Sequence, residues 1–206
     1  MAISQYYQYC GMSDESNSLF FAYYRLRKKE MQKVNISNPL IISRPLPAWL
    51  DLVLFKLSWI ALVVFQAEAL LPVLSIIVLR ALTWREITRF IPIIALTFFA
   101  GLVMDSILTV VGVFVFPSAF LPAWLIFLWL SFAMTLPRGF LFVSRWHWFG
   151  QSAIGVVAGC AGYFAGYLLN AVTFGFSLVF TMLIIALLWA AFVPVMYKIN
   201  KALLNR

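Results

Sequence analysis

The sequence predicts an all-α membrane protein, a compact bundle of about six transmembrane helices with both termini on the cytoplasmic side. Three observations predict it: the composition, a succession of apolar runs of membrane-crossing length, and the placement of basic residues between those runs. Of the 206 residues, 64% are hydrophobic and only 11% are charged, and the mean hydropathy is +0.97. A soluble domain of this size is nearer half apolar and a quarter charged, so in water most of this chain's surface would be greasy. Lipid is the solvent that removes the conflict.

The apolar runs read as six spans, at about 49–66, 68–84, 90–115, 120–138, 150–170 and 175–197. Their lengths lie near the ~20 helical residues that ~30 Å of hydrocarbon requires. The second run holds Pro72 and Arg80 and is the shortest, so a short span and one arm of a re-entrant hairpin are both open for it. Residues 48–200 therefore form a six-helix transmembrane domain, and residues 201–206 a short basic cytoplasmic tail.

The net charge of +8 would suit a nucleic-acid surface, but its distribution points to topology instead. Arg25, Arg27, Lys28, Lys29, Lys33 and Arg44 precede the first span. Arg80, Arg85 and Arg89 surround the second connection, Arg138 and Arg145 lie in the fourth, and Lys198, Lys201 and Arg206 follow the last span. The first, third and fifth connections contain no Lys or Arg. Cations concentrate on the cytoplasmic side of membrane proteins, so both termini are expected there, with anionic headgroups rather than nucleic acid as the counter-charge.

Residues 1–47 form a separate cytoplasmic region. The stretch SDESNS reads as disordered, whereas YYRLRKKEMQK (23–33) suits either a basic amphipathic helix on the membrane surface or a solvated tail. Pro39, Pro45 and Pro47 then mark an extended linker. The polar first 18 residues and the short LFFAYY run give no cleavable signal peptide, so insertion is expected from the first true span.

Asp105 is the feature that asks for an explanation. It stands in LTFFAGLVMDSILTVVGVFVF (96–116), where an ionisable group is expensive. Gly101, Asp105, Thr109 and Gly112 share one helical face, and small and polar residues on one face mark the side turned to other helices. From Phe90, Asp105 lies ~22 Å along the helix at 1.5 Å per residue, in the outer half of the bundle. Lys56 enters nearer the cytoplasmic end and can snorkel back, so a direct Lys56–Asp105 pair would need a long vertical reach. The expected intramembrane polar cluster is Asp105 and Thr109 with Gln66, Glu68, Tyr163, Tyr167 and Asn170, with Trp124 at a similar depth. Both a working site and a purely structural hydrogen-bonding role are open for it.

The fifth run, GQSAIGVVAGCAGYFAGYLLN, places Gly155, Gly159, Gly162 and Gly166 on one face with overlapping GxxxG spacings. Together with Gly101 and Gly112 these are read as helix-packing positions, where a missing side chain lets another backbone approach. Trp49, Trp84, Trp124, Trp146 and Trp148 fall near span ends and are read as interfacial anchors. Two cysteines in unlike settings, Cys10 and Cys160, and a single histidine, His147, give no metal or haem set, and no cofactor is expected. No Ser-His-Asp set, phosphate loop or useful carboxylate pair is present, so no catalytic residue is assigned.

Several motifs together resemble the bacterial domain-of-unknown-function family 2878: LFKLSWIALV, GLVMDSILTVVGVFVFP, LPAWLIFLWLSFAMTL, GCAGYFAGYLLNAVTF and LLWAAFVPVMY. The similar region runs from Leu50 to Asn200, and the matching positions are Gly101, Asp105, Gly112, Pro122, Trp124, Trp129, Gly162, Tyr163, Gly166, Trp189 and Pro194. The resemblance implies a small multi-pass inner-membrane protein of Gram-negative bacteria whose biochemical role is not established. Its association with gene clusters for cyclopropane-fatty-acid-synthase-like methyltransferases implies a part in membrane-lipid modification or envelope stress.

The leading expectation is thus an accessory protein of lipid modification or envelope maintenance. Its partners would be membrane lipids, a lipid-modifying enzyme or another membrane protein, with no nucleic acid and with the oligomeric state left open. The alternative is a small proton- or substrate-coupled transporter or flippase that uses Asp105. An enzymatic reading has only Asp105 and Glu68 to supply acid or base, and the balance leans away from it.

Overall fold

A computed structural model describes residues 47–204 other than 85, 118, 119, 139 and 140, and expectations for residues 1–46 lie outside the described residues. Pro47, whose φ of −64° and ψ of 147° hold the chain extended, starts α1 (Ala48–Phe65). Gln66 ends it with φ 46° and ψ −112°, a conformation that cannot continue a helix, and a 3-10 turn follows over Gln66–Ala69. α2 spans Leu70–Thr83 and α3 spans Ile87–Val110. Pro122, again extended, starts α4 (Ala123–Thr135). A four-residue α5 (Leu141–Ser144) leads to α6 (Trp148–Leu168), and α7 (Leu178–Leu204) closes the chain.

The long α3 and α7 and the 35-residue stretch Trp49–Thr83 are long and apolar enough to cross a membrane, and α4 is a shorter apolar helix. At 1.5 Å per residue α2 and α4 are each only about 20 Å long, below the ~30 Å of a bilayer core. Leu71, Val110, Val179 and Leu187 are among many large apolar side chains that face outward. A surface of that kind is stable in lipid and not in water, so the chain is a helical membrane protein.

Three structural details fold the helices back on one another. The carboxylate of Asp51 in the first turn of α1 meets the guanidinium of Arg80 in the last turn of α2 at 3.0 Å, so these two helices form a hairpin with Gln66–Ala69 at its far end. The α3–α4 and α6–α7 connections join as two strands, β1 (Phe114–Val115) and β2 (Thr173–Phe174), paired antiparallel with Phe114 opposite Phe174 and Val115 opposite Thr173. The third and fifth connections are thereby clasped together, and the span expected over 90–115 is cut at Val110 because Gly112 turns the chain at φ 77°. The third detail is Pro194, which leaves the Ala190 carbonyl without its helical N–H donor. The Ser152 hydroxyl of α6 donates to that carbonyl at 2.8 Å instead.

The core sits around α4, which packs on α1, α2 and α3. α6 and α7 form the most extensive helix pair, and α7 also packs on α3. Gly155 and Gly159 face α7, where a Cβ at the first would meet the Trp189 carbonyl and one at the second would overlap the Trp189 ring. Trp84 and Trp124, expected as interfacial anchors, are instead buried. The Arg138 guanidinium lies over the Trp84 ring at 5.1 Å, and Trp124 packs edge-on against Phe116. Trp49, Trp146 and Trp148 remain exposed at helix ends.

Candidate functional site

α3 brings Asp105 to the centre of the bundle, where the residue is 0% exposed. Its Oδ1 accepts a hydrogen bond from the Tyr163 hydroxyl of α6 at 2.6 Å, and its Oδ2 accepts one from the Trp129 indole N–H of α4 at 2.7 Å. Three helices are therefore joined through one carboxyl group. Such a group is costly in an apolar interior unless its oxygens are engaged, and here each has a donor.

The surroundings explain why these donors arrive. Gly101 stands one turn before Asp105, and any Cβ there would overlap the Trp129 ring. On its other side Trp129 stacks on Trp189 at 5.9 Å, and Gly159 of α6 accommodates Trp189 in the same way. Two parallel indoles are thus clamped between glycines of α3 and α6, which fixes the position of the Trp129 N–H. Tyr163 is held by a second stack. Its ring lies on Phe114 at 4.9 Å, Phe114 lies on Phe174 at 6.0 Å, and Phe174 lies on Tyr167 at 4.7 Å. The β1–β2 pairing sets Phe114 opposite Phe174 and so builds this column.

Of the cluster expected around Asp105, Tyr163 reaches the carboxylate. Thr109 is on the same helix but donates to the Asp105 backbone carbonyl at 2.8 Å, and Tyr167 serves in the aromatic column. Asn170 is exposed and takes a left-handed φ of 56° at the end of α6. Gln66 and Glu68 belong to the 3-10 turn between α1 and α2, with Glu68 exposed. The second donor, Trp129, lay outside the expected cluster, since an indole in an apolar helix reads first as packing.

Tyr163 and Trp129 have a second face. Both line a cavity of about 440 Å³ between α1, α4 and α6, a size typical of small-molecule pockets. On α6 the lining runs from Ile154 to Gly166, thirteen residues whose twelve steps rise ~18 Å at 1.5 Å per residue. Gly162 opens onto this space, for a Cβ there meets nothing within 4 Å, and a Cβ at Gly166 would meet only the Val172 side chain, at an ordinary contact distance of 3.5 Å. The walls are apolar and aromatic, with Phe55, Trp59, Leu128 and Phe132 prominent. Among the described residues Lys56 is the one charged side chain in the lining, and its ammonium stands 5.7 Å over the Trp59 ring.

A second buried polar centre lies toward the starting end of α1. Arg80, 2% exposed, donates through Nε to Asp51 Oδ1 at 3.0 Å, through Nη1 to the Ser131 carbonyl and hydroxyl at 3.2 and 3.1 Å, and through Nη2 to Thr135 Oγ1 at 2.7 Å. Reading Arg80 as part of a basic connection misses this. The available signal was an acid three residues into one apolar run and an arginine near the end of the next, which a hairpin brings to one level. Among the described residues no group of three or more His, Cys, Asp or Glu side chains could hold a metal ion.

An inward-facing carboxyl, glycine-clamped indoles and outward apolar faces define a helical membrane protein with a polar centre behind an apolar groove. The sequence model of domain-of-unknown-function family 2878, described as a protein of unknown function, matches residues 48–195, and the chain belongs to that family. No curated protein and no solved structure matches the chain.

Proposed function

We propose that the protein is a six-span inner-membrane protein with both termini cytoplasmic, which holds the acyl chain of a membrane lipid in the α1–α4–α6 groove. It serves there as an accessory to lipid modification or envelope maintenance. The groove is the observation that carries this reading. Its ~18 Å run along α6 exceeds the ~15 Å depth of one leaflet, half of a ~30 Å core, so an extended acyl chain can lie along it. The walls supply aromatic and aliphatic contact, and Lys56 supplies a cation for an anionic headgroup. The cation-free connections, and the basic residues gathered between the other helix ends, support the cytoplasmic assignment of both termini.

Photoreactive fatty-acid and phospholipid probes, crosslinked in membranes and mapped by peptide mass spectrometry, test the reading. Label is expected on α4 and α6 peptides that line the groove, and Gly162→Leu is expected to abolish it by filling open space without a backbone clash. Equal labelling of wild type and Gly162→Leu would sink the proposal.

A second reading, a small proton- or substrate-coupled transporter, is favoured by one observation. Both donors to Asp105 also line the groove, so a change in the charge of Asp105 would be felt at its wall. Flux in proteoliposomes that disappears in Asp105→Asn supports this reading, and flux that is unchanged removes it.

A further inference from the structure

A different cavity, of about 540 Å³, opens where the turn before α6 meets the C-terminal third of α7. Its walls include Trp146, Trp148 and Gln151 on one side and Lys198, Asn200 and Lys201 on the other, and among the described residues no acidic side chain lines it. Lys198 and Lys201 are exposed and three residues apart, so they are neighbours on one side of α7. Asn200, one residue before Lys201, is 5% exposed, and its Oδ1 has no hydrogen-bond partner among the described residues. Buried acceptors of this kind are ordinarily satisfied, and because Asn200 lines the cavity, a small rotation of its amide presents that atom to a donor held there.

The opposite wall is held by hydrogen bonds of Gln151. The Gln151 side-chain N–H₂ faces three backbone carbonyls, those of Val143, Ser144 and Trp146, at 3.3, 3.5 and 3.2 Å. α6 begins just beyond, with no side-chain cap on its N-terminal N–H groups, so the positive end of a 21-residue helix dipole stands beside the two lysines. Trp146 and Trp148 are exposed indoles of the kind that settle at headgroup depth. Phe149 and Val195 present exposed apolar surface beside them.

We propose that this cavity binds the headgroup of an anionic phospholipid that carries hydroxyl groups, the chemistry of a glycerol-terminated phosphodiester. The phosphate is held by the ammonium groups of Lys198 and Lys201, and a headgroup hydroxyl donates to Asn200 Oδ1. A soluble glycerophosphodiester shares that polar chemistry, but the flanking indoles and apolar side chains commit the site to a membrane lipid. The site is separate from the acyl groove and stands whether or not that groove holds a lipid.

The full chain in phosphatidylcholine nanodiscs, doped with phosphatidylglycerol or with phosphatidic acid and read by native mass spectrometry, tests the assignment. Phosphatidylglycerol is expected to be retained at least several-fold over both phosphatidic acid and phosphatidylcholine. Lys198→Gln with Lys201→Gln, both at exposed positions, is expected to reduce that retention about tenfold. Asn200→Leu is expected to bring phosphatidylglycerol down to the level of phosphatidic acid. Retention no better than phosphatidylcholine, or wild-type retention in the lysine double variant, would overturn the proposal. Complete competition by soluble glycerophosphoglycerol would also overturn it, by making the ligand a free phosphodiester.

Discussion

Removing either member of the Arg80–Asp51 pair exposes how much of the fold rests on it. Both residues are 2% exposed, and Arg80 gives its hydrogen bonds to α1 through Asp51 and to α4 through Ser131 and Thr135. Breaking a buried pair by deleting one partner costs ~3–5 kcal/mol, because the other charge is left without compensation. Only one oxygen of Asp51 is engaged, since Oδ2 has no partner among the described residues, so the pair is not bidentate and the lower end, ~3 kcal/mol, is the figure to expect. Arg80→Met and Asp51→Leu should each lose about that much. The double variant should lose far less than their sum, because an apolar pair leaves no charge behind. Thr135 keeps a partner in either case, as its hydroxyl already donates to the Ser131 carbonyl at 2.8 Å. Unfolding by sodium dodecyl sulfate in mixed micelles, followed by circular dichroism and tryptophan fluorescence, gives the four corners of the cycle. Loss of under ~1 kcal/mol in Arg80→Met, or single effects that add within ~0.5 kcal/mol, would refute the argument.

Gly101→Ala and Gly159→Ala should destabilise by ~1–3 kcal/mol each through overlap with the Trp129 and Trp189 rings, while Gly162→Ala should be near neutral; the same micelle titration ranks them. Trp129→Phe and Tyr163→Phe each take one donor from Asp105 and should cost ~1–3 kcal/mol by the same titration; because Asp105→Leu on either background leaves the other donor without its acceptor, most of the cost should be recovered only when all three are replaced together. Gly112→Ala places a side chain at φ 77° and should cost on the order of 1 kcal/mol by the same titration. Gly175→Ala meets the Gly112 carbonyl, so it should loosen the β1–β2 clasp, read as lower amide-exchange protection at position 175, whose N–H donates to the Val113 carbonyl.

The class of fold is written in the composition, and the helices are written in the apolar runs, because lipid imposes length and hydrophobicity on every helix that crosses it. Finer features are invisible to that rule. The run VVGVFVF reads as the tail of a span, yet Gly112 turns the chain and Phe114 enters a strand whose partner lies some sixty residues away. Nothing local to Phe114 or Phe174 announces that pairing. Asp105 and Tyr163 were visible as polar residues on inward faces at matching depth, and the structure joins them. Trp129 carried no such mark, because its donor is one N–H on an otherwise apolar ring. Trp84 differs for the opposite reason. A tryptophan near a helix end reads as an exposed anchor, and nothing local to it announces that Arg138 and Phe90 cover its ring.

The two buried polar centres meet different sides of the same helix. Trp129 and Ser131 are two residues apart on α4, about 200° around the helix at 3.6 residues per turn, so Trp129 turns to Asp105 while Ser131 turns to Arg80. Thr135, one turn beyond Ser131, completes the second set. A helix of only 13 residues can do this because α1, α2 and α3 all pack on it, and most of its surface never meets lipid. In a membrane the hydrophobic effect does not drive helices together, and close packing with interhelical hydrogen bonds must do so. α4 supplies both: Trp129 packs on Gly101 and bonds to Asp105, while Ser131 and Thr135 accept from Arg80. The few charges inside the bundle are therefore placed where they join helices, and the apolar groove lies against the Trp129 side of that joint. A ligand in the groove that displaced Trp129 would strain the bond by which Asp105 ties α4 to α3, which makes the indole, like the Tyr163 hydroxyl of α6, a physical link between groove and carboxyl.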